Sequence, residues 1–411
     1  MTQTLNSTLM RVSGAAMMSI AMLACGVDSK RDAAAEASAE KAVEGSAEVA
    51  SGDSSGGADG SPRSGSKIRT ERLARIAEEL AAHRAAIVEQ GIGSRLNESC
   101  EALLASDFDG HYFPRGEFGV ARGDVQFQAI WNRVSPRTSK PRALDFEQHP
   151  DQIDTFTHIA RELRKHDIEF LAVPIPRVGQ IYPERLVDSL EVPANFVGAD
   201  PGVAAFLAEL VEREVEVLHL TPHFAAEREV TDDRLDRFLF HDWNAHWTPR
   251  AVTLTADRIA SRVRTMEGFQ AGSLGQGKDW RSERKQFTHD VPTPRDMKGA
   301  IETEVWVDQI LNEAGEPAHR PSQAHPILFL GDSNSQWYKK YGADIASQLC
   351  ARLEQHLDVI AMQGAAADAW WKTLARREGA GSLAGKRIVI WVFEARMLTD
   401  KKLVPPKLYF D

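Results

Sequence analysis

Between residues 150 and 393 the chain alternates short apolar runs with amphipathic segments. The segment DQIDTFTHIARELRKHD (151–167) spaces its apolar side chains three and four residues apart, which predicts a helix with one buried face. The apolar positions of that face are Ile153, Phe156, Ile159, Ala160 and Leu163. The helix is followed by IEFLAVPIP (168–176), an apolar run of strand length. A helix that leads directly into a buried strand is typical of an α/β fold.

The same alternation continues along the chain. Further helices are predicted at 203–213, 249–264 and 341–355, and further strands at 215–220, within HPILFLGDS (325–333), at 357–362 and at 387–393. Short apolar strands between helices predict a mostly parallel sheet covered on both faces, a three-layer α/β/α arrangement. Ligands of such sheets bind at the carboxyl ends of the strands.

Two segments flank or interrupt this pattern. Residues 67–105 have helical spacing and predict an amphipathic lead-in helix, so 67–144 are expected to form a helical lead-in and the start of the domain, before an α/β domain at 145–411. Residues 268–300 are rich in Gly, Lys and Arg. A long loop of this kind is either a functional element beside a site or, more commonly, a solvated insertion.

The N-terminus has the pattern of an export signal. Arg11 precedes an apolar run from Val12 to Ala24, which has the length of a signal-peptide core and is too short to span a bilayer comfortably. The run ends in MLACG (22–26), which resembles a bacterial lipobox with Cys25 as the lipidated cysteine. Simple secretion and an uncleaved anchor are the alternatives. All three place the rest of the chain outside the cytoplasm, in the periplasm or cell envelope.

Residues 1–25 are therefore expected to form a signal peptide of the lipoprotein type, and residues 26–66 a disordered tether. The tether is mainly Ala, Glu, Ser and Gly, with no aromatic residue and no periodic apolar face. Such a segment buries too little apolar surface to offset the entropy lost on ordering.

Composition and charge limit the classes of protein to which the chain can belong. The 411 residues are 43% hydrophobic and 26% charged, which is ordinary for a globular protein with a sizeable core. The net charge of −10 argues against a general nucleic-acid binder. If Cys25 is lipidated, Cys100 and Cys350 remain, and the sequence leaves open whether they form a disulfide or stay separate buried thiols.

Two distant segments carry candidate chemistry. ILFLGDSNS (327–335) predicts a buried strand that ends on an exposed Ser333, and FHDWNAHWTP (240–249) places His246 in a polar turn before a helix. A serine and a histidine from separate loops are the minimum parts for acyl transfer through an acyl-serine. Each has a plainer alternative: Ser333 as part of a helix cap, and His246 as a half-buried residue.

These residues make the chain resemble the alginate-acetylation family of SGNH-like proteins, the AlgJ and AlgX (DHHW) group. Members carry an Asp-x-His-Trp motif and, later, a G-D-S block. Two further blocks resemble the family, AVPIPRVGQIYPERL (172–186) and IVIWVFEARML (388–398). The second contains a Glu-x-Arg motif, Glu394 and Arg396. The resemblance covers roughly residues 145–400 and implies an SGNH-hydrolase-like fold with Ser333 as nucleophile and His246 as general base.

The chain departs from the family at one residue. Where the family has Asp, this chain has Asn244. An amide oxygen can hold the imidazole but cannot stabilise imidazolium by charge, and in a serine triad Asp to Asn costs on the order of 10⁴ in turnover through the wrong tautomer. Either Asn244 orients His246, or nearby Asp242 does, or activity is low.

The remaining candidates are less specific. Asn334 and Gly364 are candidates for the oxyanion hole, and Trp370, Trp371 and Arg396 for substrate binding, although adjacent aromatics on a helix are more often core residues. No Cys/His cluster has metal-ligand spacing and no Gly-rich loop has a phosphate-binding context, so we expect neither a metal nor a cofactor.

The resemblance implies a cell-envelope polysaccharide O-acetyltransferase that works through an acetyl-serine. Its substrate would be a polysaccharide, and its acetyl donor would arrive through a membrane-bound O-acyltransferase. The alternatives are a carbohydrate acetylesterase of SGNH type and a non-catalytic polysaccharide-binding assembly protein, which the Asn244 substitution keeps open.

Overall fold

The computed structural model describes residues 64–105, 112–115, 118–121, 150–187, 190–230, 237–241, 244, 246–269, 280–292, 300–317, 322–362, 382–399, 408 and 410. The predicted signal peptide, with Cys25, and nearly all of the predicted tether lie outside these ranges. Within them, no helix is both long and apolar enough to cross a membrane.

The helices that begin the described chain are α1 (Ser64–Gln90) and α2 (Ile92–Leu104). The predicted lead-in helix is therefore present but broken at Gly91, which adopts a φ of +66°. A residue with a side chain is strained in this left-handed region, so glycine fits the break between the helices. A small antiparallel pair follows, β1 (Tyr112–Arg115) with β2 (Phe118–Ala121).

A parallel sheet forms the centre of the fold. Its strands are β3 (Glu169–Ile175), β4 (Glu216–Val217), β7 (Ile327–Gly331), β8 (Asp358–Ala361) and β9 (Ile388–Glu394). They lie in the order β4-β3-β9-β7-β8, and every neighbouring pair is parallel. The predicted parallel α/β sheet is confirmed, and its carboxyl edge collects the residues that follow β3, β7 and β9.

Helices cover both faces of the sheet. On one face lie α3 (Pro150–Arg164) and α5 (Pro201–Glu212), packed against Phe170 and Ala172 of β3. On the other lie α7 (Pro249–Val263) and α9 (Ile345–Leu353), packed against Leu171 and Val173. Alternate residues of one strand thus enter two separate cores, as a doubly covered sheet requires. The predicted three-layer arrangement is confirmed.

Short helices connect these elements: α4 (Val178–Ile181), α6 (Thr221–Ala226) and α8 (Ser333–Gln336), with 3₁₀ turns at Pro183–Arg185, Lys339–Tyr341 and Ala395–Thr399. The strand expected at 215–220 is shorter than predicted, because β4 pairs only with Leu171 and Ala172 before the chain turns into α6. The helix expected at 341–355 begins only at Ile345, since Tyr341 belongs to the preceding 3₁₀ turn and Gly342, with a φ of +64°, ends that turn.

The prediction of an irregular insertion at 268–300 is wrong for much of its length. The described part forms a two-stranded ribbon, β5 (Arg281–Pro292) antiparallel to β6 (Ala300–Leu311). Val305 and Val307 of β6 are fully buried in the core that contains α7 and α9. The ribbon is therefore anchored to the domain rather than being a solvated loop. Cys100 and Cys350 are separate buried thiols.

Candidate active site

Ser333 lies at the carboxyl edge of the sheet, where β7 turns sharply into α8. A Cβ on Gly331 would come within 2.1 Å of the Oγ and 2.5 Å of the Cβ of Ser335, so only glycine lets the chain fold back this closely. The carboxylate of Asp332 accepts from the backbone N–H of Asn334 at 2.9 Å and from that of Glu394 at 2.9 Å. The serine turn is thereby tied to the end of β9.

His246 directly precedes Trp247, which forms an antiparallel bridge with Phe240, and α7 begins three residues later at Pro249. The indole N–H of the fully buried Trp247 donates to the backbone carbonyl of Asn334 at 2.7 Å. This bond fastens the histidine turn to the serine turn, which is 87 residues further along the chain.

The structure brings Ser333, His246 and Asn244 into one hydrogen-bonded row. Nε2 of His246 is 3.0 Å from Oγ of Ser333, and Nδ1 is 2.6 Å from Oδ1 of Asn244. Asp242 lies outside the described residues. Of the two residues that could orient the imidazole, Asn244 is therefore the one whose contact with it is observed.

The orientation of the Asn244 amide is fixed by a second contact. The backbone N–H of His246 donates to the same Oδ1 at 3.0 Å. Because a backbone nitrogen can only donate, the atom facing it must be the amide oxygen rather than the NH₂ group. The same oxygen then faces Nδ1, which must carry the proton. Nε2 is left with its lone pair toward Ser333, as a general base requires.

The electrostatics of the site favour the neutral imidazole. Burial, with Arg177 and His289 nearby, lowers the pKa of His246 to about 3. Arg177 follows β3 and forms an ion pair with Glu394 at the end of β9. Burial raises the pKa of the Asp332 carboxyl to about 6, although the N–H donors of Asn334 lower it.

An aromatic cluster adjoins the histidine. The ring of Trp337 is stacked on that of His246, with ring centroids 4.2 Å apart and an angle of 21°. The hydroxyl of Tyr338 donates to the carbonyl of Trp247 at 3.1 Å and therefore accepts from Nε2 of His241, 2.6 Å away. His289, on the ribbon, lies with its ring centroid 5.1 Å from that of Trp337. The ribbon thus forms one wall beside the site.

The other predicted site residues have different outcomes. The backbone N–H of Asn334 donates to the carboxylate of Asp332, and a role of Asn334 in the oxyanion hole stays a prediction. Arg396 is 56% exposed, with its Nε 3.3 Å from Oε2 of Glu394, so it lies next to the ion pair of Arg177. Gly364, Trp370 and Trp371 lie outside the described residues.

Sequence reasoning missed Arg177, Trp337, Tyr338 and His289 as residues of the site. For Arg177 a signal existed, since it comes directly after a predicted strand, where the carboxyl edge lies. Trp337 and Tyr338 follow the G-D-S block by a few residues. Nothing in the sequence of the ribbon indicates that His289 reaches the site. Among the described residues, no group of three or more His, Cys, Asp or Glu side chains is placed to hold a metal ion.

A parallel three-layer fold with a serine–histidine pair at its carboxyl edge defines an SGNH hydrolase-like protein. The model of the family "SGNH hydrolase-like domain, acetyltransferase AlgX" matches residues 137–395, and the chain belongs to that family. The resemblance drawn from the sequence is confirmed. No curated protein sequence matches the chain.

Solved structures that are similar to this chain include three bacterial proteins. The O-acetyltransferase domain of Pseudomonas putida AlgJ is 17% identical with a TM-score of 0.48, covering 71% of this chain and 93% of that one. Pseudomonas aeruginosa AlgX is 17% identical with a TM-score of 0.44, covering 61% and 58%. Bacillus cereus PatB1 is 11% identical with a TM-score of 0.43, covering 71% and 98%.

Proposed function

We propose that this protein is a polysaccharide O-acetyltransferase that works through an acetyl-Ser333 intermediate. The observation that supports this most strongly is the row Ser333–His246–Asn244, in which the amide orientation leaves Nε2 free to take the serine proton. Membership of the AlgX acetyltransferase family supports the acetyl group as the one transferred.

The chemistry has two half-reactions. In the first, Nε2 of His246 takes the proton of Ser333 while Oγ attacks the acetyl carbonyl of the donor, and the proton then passes to the departing group. In the second, Nε2 takes the proton of a sugar hydroxyl, whose oxygen attacks the acetyl-serine. Collapse of that intermediate releases Oγ of Ser333, which recovers its proton from His246. Asn244 holds the ring in one tautomer throughout.

The two alternatives use the same residues differently. An acetylesterase would accept water in the second half-reaction in place of the sugar hydroxyl. A non-catalytic binding protein would need no ordered serine–histidine–amide row. The fixed tautomer of His246 therefore favours an enzyme over a degenerate site.

Localisation and donor are part of the proposal. The apolar run before Cys25 supports export to the periplasm or cell envelope, with lipid anchoring at that cysteine. An exported enzyme has no direct access to cytoplasmic acetyl donors, which supports a membrane-bound O-acyltransferase as the partner that delivers the acetyl group.

Mass spectrometry of the intact protein tests the proposal. After incubation with a chromogenic acetyl ester, the wild-type chain should gain one acetyl group, and Ser333→Ala should gain none. Ser335→Ala is the matched control, because it removes the other hydroxyl of the same turn. Adding an oligosaccharide should move the acetyl group to sugar faster than to water. An adduct that survives in Ser333→Ala would rule out this serine, and release to water alone would favour the esterase.

A further inference from the structure

The catalytic cycle proposed above leaves one charge without an evident partner. When His246 takes a proton from Ser333 it becomes imidazolium, and the group on its Nδ1 side is the neutral amide of Asn244. The nearby Arg177 and His289 disfavour a positive charge. In a Ser-His-Asp triad the carboxylate stabilises this cation. Among the described residues no carboxylate is hydrogen-bonded to the His246 ring, so stabilisation of this cation falls to other groups of the site.

Trp337 is placed to stabilise that cation. Its ring lies nearly parallel to the imidazole, with centroids 4.2 Å apart, and an indole face attracts cations within about 6 Å through its negative quadrupole. Trp ranks first among aromatic side chains for this interaction. The attraction increases when the site is shielded from water, and His246 is half-buried here.

The position of the indole is fixed from several sides. Trp337 directly follows α8, which begins with Ser333, so nucleophile and indole share one short rigid segment. The backbone N–H of Trp337 donates to the carbonyl of Asn334 at 3.3 Å. Tyr338 and His289 contact the indole edge-on, with ring centroids at 6.1 Å and 5.1 Å. The stacking face is thereby held over His246.

We propose that Trp337 is a positioning residue whose indole face stabilises the imidazolium form of His246, supplying part of what a triad carboxylate supplies elsewhere. The inference rests on the proposed acetyl-Ser333 chemistry. The proton moves from Oγ of Ser333 to Nε2 of His246 as before, and the indole gains neither proton nor electrons. Its effect is confined to the barriers of the steps in which His246 becomes imidazolium.

Fluorinated tryptophan tests the electrostatic part with little change in shape. Fluorine withdraws electron density from the ring face, so wild-type protein grown with mono-, di- and trifluorinated tryptophan should acetylate Ser333 progressively more slowly. The chain has nine tryptophans, so the same series in a Trp337→Phe background is the control and should show no trend. Trp337→Leu should reduce kcat for the acetyl ester by roughly 3- to 30-fold with little change in KM.

A double-mutant cycle separates charge stabilisation from packing. In the Asn244→Asp background a carboxylate stabilises the imidazolium, so the Trp337→Leu penalty should shrink severalfold. Trp280 is partly buried and contacts His356, which precedes β8, so it lies at the opposite edge of the sheet. Trp280→Leu is therefore the control, and it should leave kcat unchanged in both backgrounds.

The outcomes separate the two proposals. A Ser333 adduct whose rate is independent of fluorination, or an equal Trp337→Leu penalty in both backgrounds, would overturn the role of Trp337 alone. The absence of any adduct on wild-type Ser333 would overturn the acetyltransferase proposal and this inference with it.

Discussion

Asn244 shows how much a single hydrogen bond decides in this site. An amide beside an imidazole can present either its oxygen or its NH₂ group, and only the oxygen gives the tautomer that a general base needs. Here the backbone N–H of His246 selects the oxygen. The loss expected for Asp-to-Asn changes in serine triads comes largely from the wrong tautomer, so this chain avoids that part of it.

Changing Asn244 should therefore affect turnover in both directions. Asn244→Asp keeps an acceptor at both contacts and adds a negative charge, which stabilises imidazolium, so kcat should rise about tenfold. The same charge raises the pKa of His246, so the acidic limb of the pH–rate profile should move toward neutral pH. Asn244→Ala, which has no acceptor, should lower kcat by roughly 10²-fold or more. The pH–rate profile on a small acetyl ester measures all three.

An unchanged rate in both variants would show that Asn244 does not orient His246. A gain in Asn244→Asp without any shift of the acidic limb would show that the added charge acts elsewhere.

At the scale of elements, the site depends on how neighbouring strand ends are joined. The carboxylate of Asp332 accepts one hydrogen bond from the serine turn and one from the last residue of β9, and the side chain is buried. Burial raises its pKa to about 6, above the unfolded value near 4. Its contribution to stability is therefore complete below about pH 4 and is lost as the pH rises through about 6.

Comparing wild type with Asp332→Asn isolates this contribution, because all other titrating groups are shared. The free energy of unfolding of wild type relative to the variant should fall by on the order of 3 kcal/mol between about pH 4 and pH 7. Urea unfolding at a series of pH values measures it. A difference that is constant over this range would show that the pKa of Asp332 is unshifted in the fold, and one that grows with pH would show that it is lowered; either result would contradict the prediction.

The elements also show which strands could be predicted from the sequence and which could not. The sheet strands were predictable because they lie in mainly apolar runs, of which IVIWVF of β9 is the most continuous. The ribbon was not, because β5 reads as charged and polar residues (RSERKQFTHD) with no apolar alternation. Its stability comes from pairing with β6 and from Val305 and Val307, which anchor it from the opposite strand.

In the candidate site, too, some residues could be predicted from the sequence and some contacts could not. Ser333 and His246 were predictable because each lies in a short motif at an element boundary. The stacking of Trp337 on His246 was not, because it depends on the angle at which the turn after α8 meets the turn before α7. The contact of His289 with that cluster depends on where the ribbon packs, which local spacing does not encode.

Across the whole molecule, the ion pairs that attach the lead-in helix and the residues of the candidate site occupy opposite edges of the sheet. Arg72 of α1 is buried and binds Glu169 at the start of β3 and Glu216 at the start of β4, at 2.7 and 2.8 Å. The lead-in helix is thus attached at the amino edge, whereas Ser333 lies at the carboxyl edge. Stability and turnover should respond to mutation separately.

Arg72→Ala tests this separation. It removes the 2.8 Å ion pair of the buried Glu216 and leaves it the more distant Arg262, at 3.6 Å, so the free energy of unfolding should fall by about 3 kcal/mol. Arg75→Ala, an exposed arginine of the same helix, is the control and should change it by less than about 0.5 kcal/mol. Urea unfolding gives the stability, and kcat per folded molecule should remain that of wild type in both. A large loss of kcat in Arg72→Ala would contradict the separation.

The contact between Oδ1 of Asn244 and the backbone N–H of His246 also has an evolutionary consequence. A carboxylate oxygen accepts from that N–H as readily as an amide oxygen does, so the turn needs no rebuilding when one replaces the other. The codons of Asn and Asp differ by a single base. With the rise in turnover predicted for Asn244→Asp, a slower and a faster form would be one base change apart, and selection could move a lineage between them in one step.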